Sequence, residues 1–214
     1  MTDTILEAKN ICKSFGPTKA VNDFSIRIEK GEIRGLIGEN GSGKSTFSAM
    51  VSGILPLDSG ELRLDGKLYA PRNMIDAAEH GVAMVVQEIG TIGTISVAAN
   101  IFLNKERLFV THGILRSKEM CSRAEEILQA IGGKHIRGNM VCEELNLEDR
   151  KLVEIARAMY NRPRLLIIDE TSNALASHGR EILYKNIAAV KKEGGAVLFI
   201  THDLEELRRV CDSV

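Results

Sequence analysis

Eight consecutive residues, Gly38-Glu39-Asn40-Gly41-Ser42-Gly43-Lys44-Ser45, have types and spacing that could do chemistry, because they satisfy the pattern G-x-x-x-x-G-K-[ST]. A polyphosphate concentrates negative charge. Holding one requires several backbone N–H groups close together at a helix N-terminus, an approach that glycines permit and side chains obstruct. Lys44 adds a mobile positive charge, and Ser45 a hydroxyl suited to Mg2+. The alternative is a glycine-rich turn with an incidental lysine. Context argues against it: Ile33 and Gly35-Leu36-Ile37 read as a short apolar strand before the loop, and Thr46 to Ile54 as a helix after it.

Strand, loop and helix imply a parallel sheet, in which ligands bind beyond the carboxyl ends of the strands. Three apolar runs elsewhere end in polar residues: Val82-Ala83-Met84-Val85-Val86 in Gln87, Leu165-Leu166-Ile167-Ile168 in Asp169-Glu170, and Val197-Leu198-Phe199-Ile200 in Thr201-His202. Asp169 is placed to hold Mg2+ opposite Ser45, directly or through water. Glu170 is placed to orient or deprotonate a water in line with the γ-phosphate. Taken singly, Asp-Glu could be a helix N-terminal charge pair, Gln87 a surface residue and His202 a satisfied histidine. Their common place at one sheet edge favours a shared site. His80, His112, His135 and His178 lack that setting.

The rest of the chain supplies the frame. Ile5 to Ile11 and Ala20 to Ile28 read as strands, the second alternating through Phe24, Ile26 and Ile28, with a turn at Ser14-Phe15-Gly16-Pro17. Gly60 to Leu64 and Lys67 to Tyr69 form a hairpin about Asp65-Gly66. Asn73 to His80 reads as a short helix. From Glu88 to about Asn161 strand signals disappear, and Val97 to Leu103, Lys118 to Ile131 and Glu148 to Tyr160 have helical spacing. The expected architecture is an α/β core with an antiparallel β subdomain over 1–88 and 163–214, and an inserted helical subdomain over 89–162.

Length and composition suit one such domain: 214 residues, 44% hydrophobic and 27% charged. A net charge of -1, with acidic and basic residues interleaved, gives no electrostatic reason to expect a nucleic acid partner. Cys12, Cys121, Cys142 and Cys211 are scattered without metal-ligand spacing, as expected of reduced thiols in a cytoplasmic protein. No apolar segment approaches the ~20 residues of a membrane span, so a role at a membrane would come through a partner.

These motifs together resemble the nucleotide-binding domain of ATP-binding cassette (ABC) proteins, over nearly the whole chain. GENGSGKST, Val97 to Leu103, Glu154-Ile155-Ala156-Arg157-Ala158 and Ser172-Asn173-Ala174-Leu175 are most similar to the sugar-importer branch. The resemblance implies a P-loop NTPase (RecA-like) fold. It implies adenine stacking on Phe15, which taken alone would read as a core aromatic. It implies phosphate binding by Gly38 to Thr46, with Gly38, Glu39, Asn40, Gly41, Ser42, Gly43, Lys44, Ser45 and Thr46 all contributing. It places Mg2+ on Ser45, Gln87 and Asp169, water activation on Glu170, and γ-phosphate sensing on His202. The implied partners are a second nucleotide-binding domain and transmembrane permease subunits, and the implied place is the inner face of the cell membrane. That branch usually carries two such domains in one polypeptide. This one would be the first, and its end at Val214 suggests a C-terminally truncated domain.

The chain departs from the family at the signature LSGGQ, which aligns with Leu145-Asn146-Leu147-Glu148-Asp149. In the family, two domains pair head to tail and the signature of one faces the ATP of the other. Glu148 replaces a glycine and adds a carboxylate; two unit charges ~4 Å apart at an effective dielectric of ~20 repel by roughly 4 kcal/mol. Ala176 replaces a further aspartate that many members carry. The expectation is an asymmetric pair: a competent half-site from Lys44, Asp169, Glu170 and His202, and a poor signature offered to the partner. An ATP-gated regulatory module with little hydrolysis, or a soluble ABC protein outside transport, are the alternatives.

Overall fold

A computed structural model describes residues 3–88 and 90–214; the side chains of Asn173 and Ala174, within the Ser172 to Leu175 stretch noted above, lie outside the described set. In chain order the elements are β1 (Thr4–Phe15), β2 (Thr18–Glu29), β3 (Ile33–Leu36), α1 (Lys44–Val51), β4 (Ser59–Leu64), β5 (Lys67–Leu68), α2 (Met74–Glu79) and β6 (Val82–Val85). There follow α3 (Val97–Ile101), β7 (Val110–Thr111), β8 (Ile114–Leu115), α4 (Ser117–Ile131), α5 (Leu147–Met159), β9 (Leu165–Asp169), α6 (Ser177–Lys192), β10 (Ala196–Ile200) and α7 (Leu204–Val210). The chain divides into two compact units: residues up to Met84 with Arg162–Glu170 and Ile187–Val214, and Val85–Asn161 with Thr171–Asn186.

The first unit holds two sheets. An antiparallel one has the order β2-β1-β4-β5 and a parallel one the order β3-β10-β9-β6. The β4–β5 connection is the expected two-residue turn, with Asp65 at φ 49° and Gly66 at φ 75°, the left-handed pair that a type I′ hairpin requires. β9 and β10 are buried along their whole length, which is why they read as unbroken apolar runs rather than alternating ones. Alternate residues from these strands, Leu165, Ile167, Leu198 and Ile200, join Phe47, Met50 and Val51 of α1 and Leu6, Ile28 and Leu62 in one core. Each such side chain stabilises the fold by about 1.5–3 kcal/mol.

Helix α1 starts at Lys44 and ends at Val51, earlier at both ends than the expected Thr46 to Ile54. Gly43, left-handed at φ 92°, sets its start, and Gly53, at φ 75°, turns the chain away after it.

The second unit is helical: α3, α4 and α5 pack together, with Phe102 edge-on to both Phe109 and Tyr160 at 4.6 and 5.0 Å between ring centroids. One expectation fails here. Strand structure does not disappear after residue 88, because β7 and β8 form a short antiparallel hairpin across His112 and Gly113, both at positive φ. The unit also takes in residues 171–186, beyond the segment expected from the sequence. Asn186 donates to the Ile131 carbonyl at 3.2 Å, and a Cβ on Gly132 would sit 3.2 Å from Ile182, so the first part of α6 packs on the end of α4. Among the described residues no helix is long and apolar enough to cross a membrane.

Candidate functional site

The register of the parallel sheet builds the site. Leu36 of β3 pairs with Ile200 of β10, and Ile200 with Asp169 of β9, so three strands end on one row. The residues that follow, Gly38 with its loop, His202 and Glu170, therefore leave the sheet at the same edge, as in other doubly wound sheets.

The phosphate loop is shaped by its glycines. A Cβ at Gly43 would lie 2.2 Å from the Ala20 carbonyl oxygen, and one at Gly38 2.5 Å from Ser42 Oγ. Gly41, at φ 82°, has open space and needs glycine for its conformation alone. The Ser42 N–H donates to the Glu39 carbonyl at 3.1 Å, closing the turn. Lys44 is buried, and its ammonium donates to the carbonyls of Gly38 and Glu39 at 2.8 and 3.0 Å, which keeps the charge at the loop. Asn40 and Ser45 are exposed and Thr46 half-buried. Helices α2, α3, α5 and α7 have side-chain caps on their first amides, whereas α1, like α4, has none. Its leading N–H groups are thus left for another acceptor.

Ser45 and Asp169 meet: Ser45 Oγ donates to Oδ1 at 3.3 Å. Ser48, one turn further along α1 and fully buried, donates to Oδ2 at 3.1 Å. Ser48 was not singled out in the sequence, and only its i+3 spacing from Ser45 on a helix could have pointed to it. Burial pushes the Asp169 carboxyl above the usual carboxylate range, while the two serine hydrogen bonds pull it back down. A hydroxyl beside a buried, oriented carboxylate is a hard oxygen donor set of the kind Mg2+ accepts, so these two residues fit the expected ion.

Glu170 follows in a left-handed conformation, φ 45°, fixed by its N–H bond to the Ile200 carbonyl at 3.0 Å. For a non-glycine residue that conformation costs about 1–2 kcal/mol, and strain of this kind gathers at functional positions. Its carboxylate lies 3.7 Å from His202 Nδ1. The turn that carries His202 is held by Thr201, whose hydroxyl donates to buried Glu206 at 2.7 Å and accepts from the Asp203 N–H at 3.1 Å. Phe15 ends β1 about half exposed rather than in the core, and Lys13 stands 5.8 Å from its ring centroid. Lys13 is itself anchored to Asp58 at 2.7 Å.

Gln87 and residues 145–149 belong to the second unit. Gln87 is exposed just past β6. Asn146 caps α5: its Oδ1 accepts the Asp149 N–H at 2.8 Å, and its Nδ2 donates to Asp149 Oδ2 at 3.1 Å. The Glu148 carboxylate turns onto the first turn of α6, where a Cβ on Gly179 would collide with it. That end of a helix is favourable for a negative charge.

A buried parallel sheet feeding a glycine loop and a helix, with carboxylates at the neighbouring strand ends, is the P-loop NTPase fold of ATP-binding cassettes. This chain belongs to the ABC transporter family, whose model matches residues 21–173. The "Ribose import ATP-binding protein RbsA" of Bacillus cereus is 35% identical over 98% of the chain, and that of Rhodopirellula baltica 37% identical over 99%. The matches cover 42% and 41% of those relatives, so the chain spans less than half their length. Among solved structures, the ADP conformation of MJ1267, an ATP-binding cassette of an ABC transporter, superimposes with a TM-score of 0.80 at 27% identity, over 99% of this chain and 86% of that one. A nucleotide-free ATP-binding cassette from an ABC transporter gives 0.81 at 27%, over 98% and 85%.

Proposed function

We propose that the chain binds and hydrolyses ATP to energise import of a sugar or similar small solute, as one of a head-to-tail pair of nucleotide-binding domains. The observation that carries this is the grouping of the loop lysine, the Ser45–Asp169 pair and Glu170 beside His202 at one sheet edge. The resemblance to ribose import proteins supports the substrate class.

In this reading Lys44 and the loop amides from Gly38 to Thr46 bind the β- and γ-phosphates, and Phe15 stacks on adenine. Ser45, Asp169 and Gln87 hold Mg2+, which when bound offsets phosphate charge. Glu170 orients the attacking water and accepts its proton, while His202 contacts the γ-phosphate. Positioning and fixed charge account for most of the rate, since phosphoryl transfer asks little covalent chemistry of the protein. The first unit is the core with its β subdomain and the second the helical subdomain. The remaining partners are permease subunits, which place the chain on the inner face of the membrane.

A second reading, an ATP-gated module with little turnover, is favoured by the Asn146 amide being committed to Asp149. Phosphate release measured for the chain with and without its paired domain separates the two. Turnover that rises on pairing supports the first; Mg·ATP binding with no turnover in either state supports the second.

A further inference from the structure

One face of α5 is charged where the helix is buried. Lys151 and Glu154 have side chains only 1% exposed, and they pair at 2.9 Å. An ammonium has three N–H donors. Lys151 uses all three, on the carbonyls of Val86 (2.9 Å) and Glu88 (2.7 Å) and on Glu154 Oε2. Glu154 Oε1 accepts the Gly90 N–H. Arg157 donates to the Gly90 carbonyl at 3.1 Å, and Arg150 to the Thr91 hydroxyl and carbonyl at 2.9 and 3.3 Å. Positions 150, 151, 154 and 157 share a helical face, so that face grips the backbone at Val86, Glu88, Gly90 and Thr91. Gln87 lies inside this stretch with its own side chain exposed.

A buried ion pair is weak evidence for stability, since apolar residues of the same volume often serve as well or better. Apolar residues could not, however, address two carbonyls and an amide. The charges therefore specify where a loop runs, as outer-sphere groups do for metal ligands.

We infer that Lys151, with Glu154, is a positioning residue for Gln87. It fixes the backbone on either side of Gln87, and so sets where that amide is presented. This rests on the reading of Gln87 as part of the Mg2+ set.

The test is ATP affinity of the whole chain with and without Mg2+, measured by calorimetry. Lys151→Met should cut the Mg2+-dependent gain in affinity about tenfold to a hundredfold, the worth of one hydrogen bond to a charged group, while leaving Mg2+-free affinity unchanged. A residue with only a structural role would lower both. Gln87→Ala should give the same loss, and the double variant no further loss, because both changes act through one group. Lys151→Met with Glu154→Met removes both charges of the pair and should behave as Lys151→Met does. An undiminished gain in that pair variant, with Gln87→Ala impaired, overturns the inference. If Gln87→Ala is itself without effect, the assignment of Gln87 to Mg2+ fails and hydrogen exchange decides the clamp: faster exchange of the Gly90 amide in Lys151→Met, with α5 amides unchanged, upholds it, and unchanged exchange refutes it.

Discussion

Ser45 Oγ donates to Asp169 Oδ1 across 3.3 Å, joining the end of the phosphate loop to the end of β9, residues 124 positions apart in the chain. The Asp169 carboxylate is buried, and burial raises its pKa against the pull of Ser45 and Ser48. The folded chain thus retains a proton there to higher pH than the unfolded chain does. Stability contributed by this group is present below the unfolded value of about 3.9 and is lost as pH rises through the higher folded value. Asp169→Asn removes the penalty. It should raise the urea midpoint at pH 7–8 and lose that advantage near pH 3, while Mg2+-dependent ATP affinity drops about tenfold or more. Urea titrations at the two pH values check the sign.

Gly43 and Gly41 share positive φ but not crowding. Gly43→Ala meets the Ala20 carbonyl at 2.2 Å and should destabilise the chain by about 3 kcal/mol and weaken ATP binding. Gly41→Ala has open space and should cost only about 1 kcal/mol. Thermal unfolding of the two variants should reproduce that order.

At the signature position, Asn146→Ser with Glu148→Gly restores a hydroxyl and removes the carboxylate. Turnover by the paired domains should rise several-fold, as expected when a hydroxyl replaces the Asn146 amide that Asp149 now occupies, a hydrogen bond worth about 1 kcal/mol. Unchanged turnover would remove the case for an asymmetric pair.

Much of this was legible in the sequence, for definite physical reasons. β9 and β10 are continuous apolar runs because a parallel sheet buries both faces, and Asp65-Gly66 announces its turn because few residues tolerate two successive positive φ values. The β7–β8 hairpin was not legible. Two-residue strands carry no period, and His112-Gly113 is a weaker turn signal than Asp-Gly. The charged face of α5 was hidden for the opposite reason: Lys151 and Glu154 look like solvated positions until their partners, backbone atoms of a loop more than 60 residues earlier, are seen. Residues 171–186 likewise join the second unit through contacts with Ile131 and Gly132 that no local pattern records.

Phe15 gives a simpler test. It is half exposed at the end of β1, so Phe15→Ala should leave the fold intact. ATP affinity should fall about fivefold or more, since stacking of a base on an aromatic ring is worth about 1–3 kcal/mol. Replacement by Trp should preserve binding. Equal affinity in Phe15→Ala would take adenine off this ring.

In the proposed mechanism Glu170 acts on the attacking water while the phosphate loop and Asp169 hold the nucleotide. ATP binding and phosphate release in Glu170→Gln, assayed with the paired domain present, separate the two roles. Mg·ATP affinity should stay within about twofold of the parent while turnover falls at least about 100-fold, the usual span of a general base. Turnover at the parent rate would contradict this mechanism.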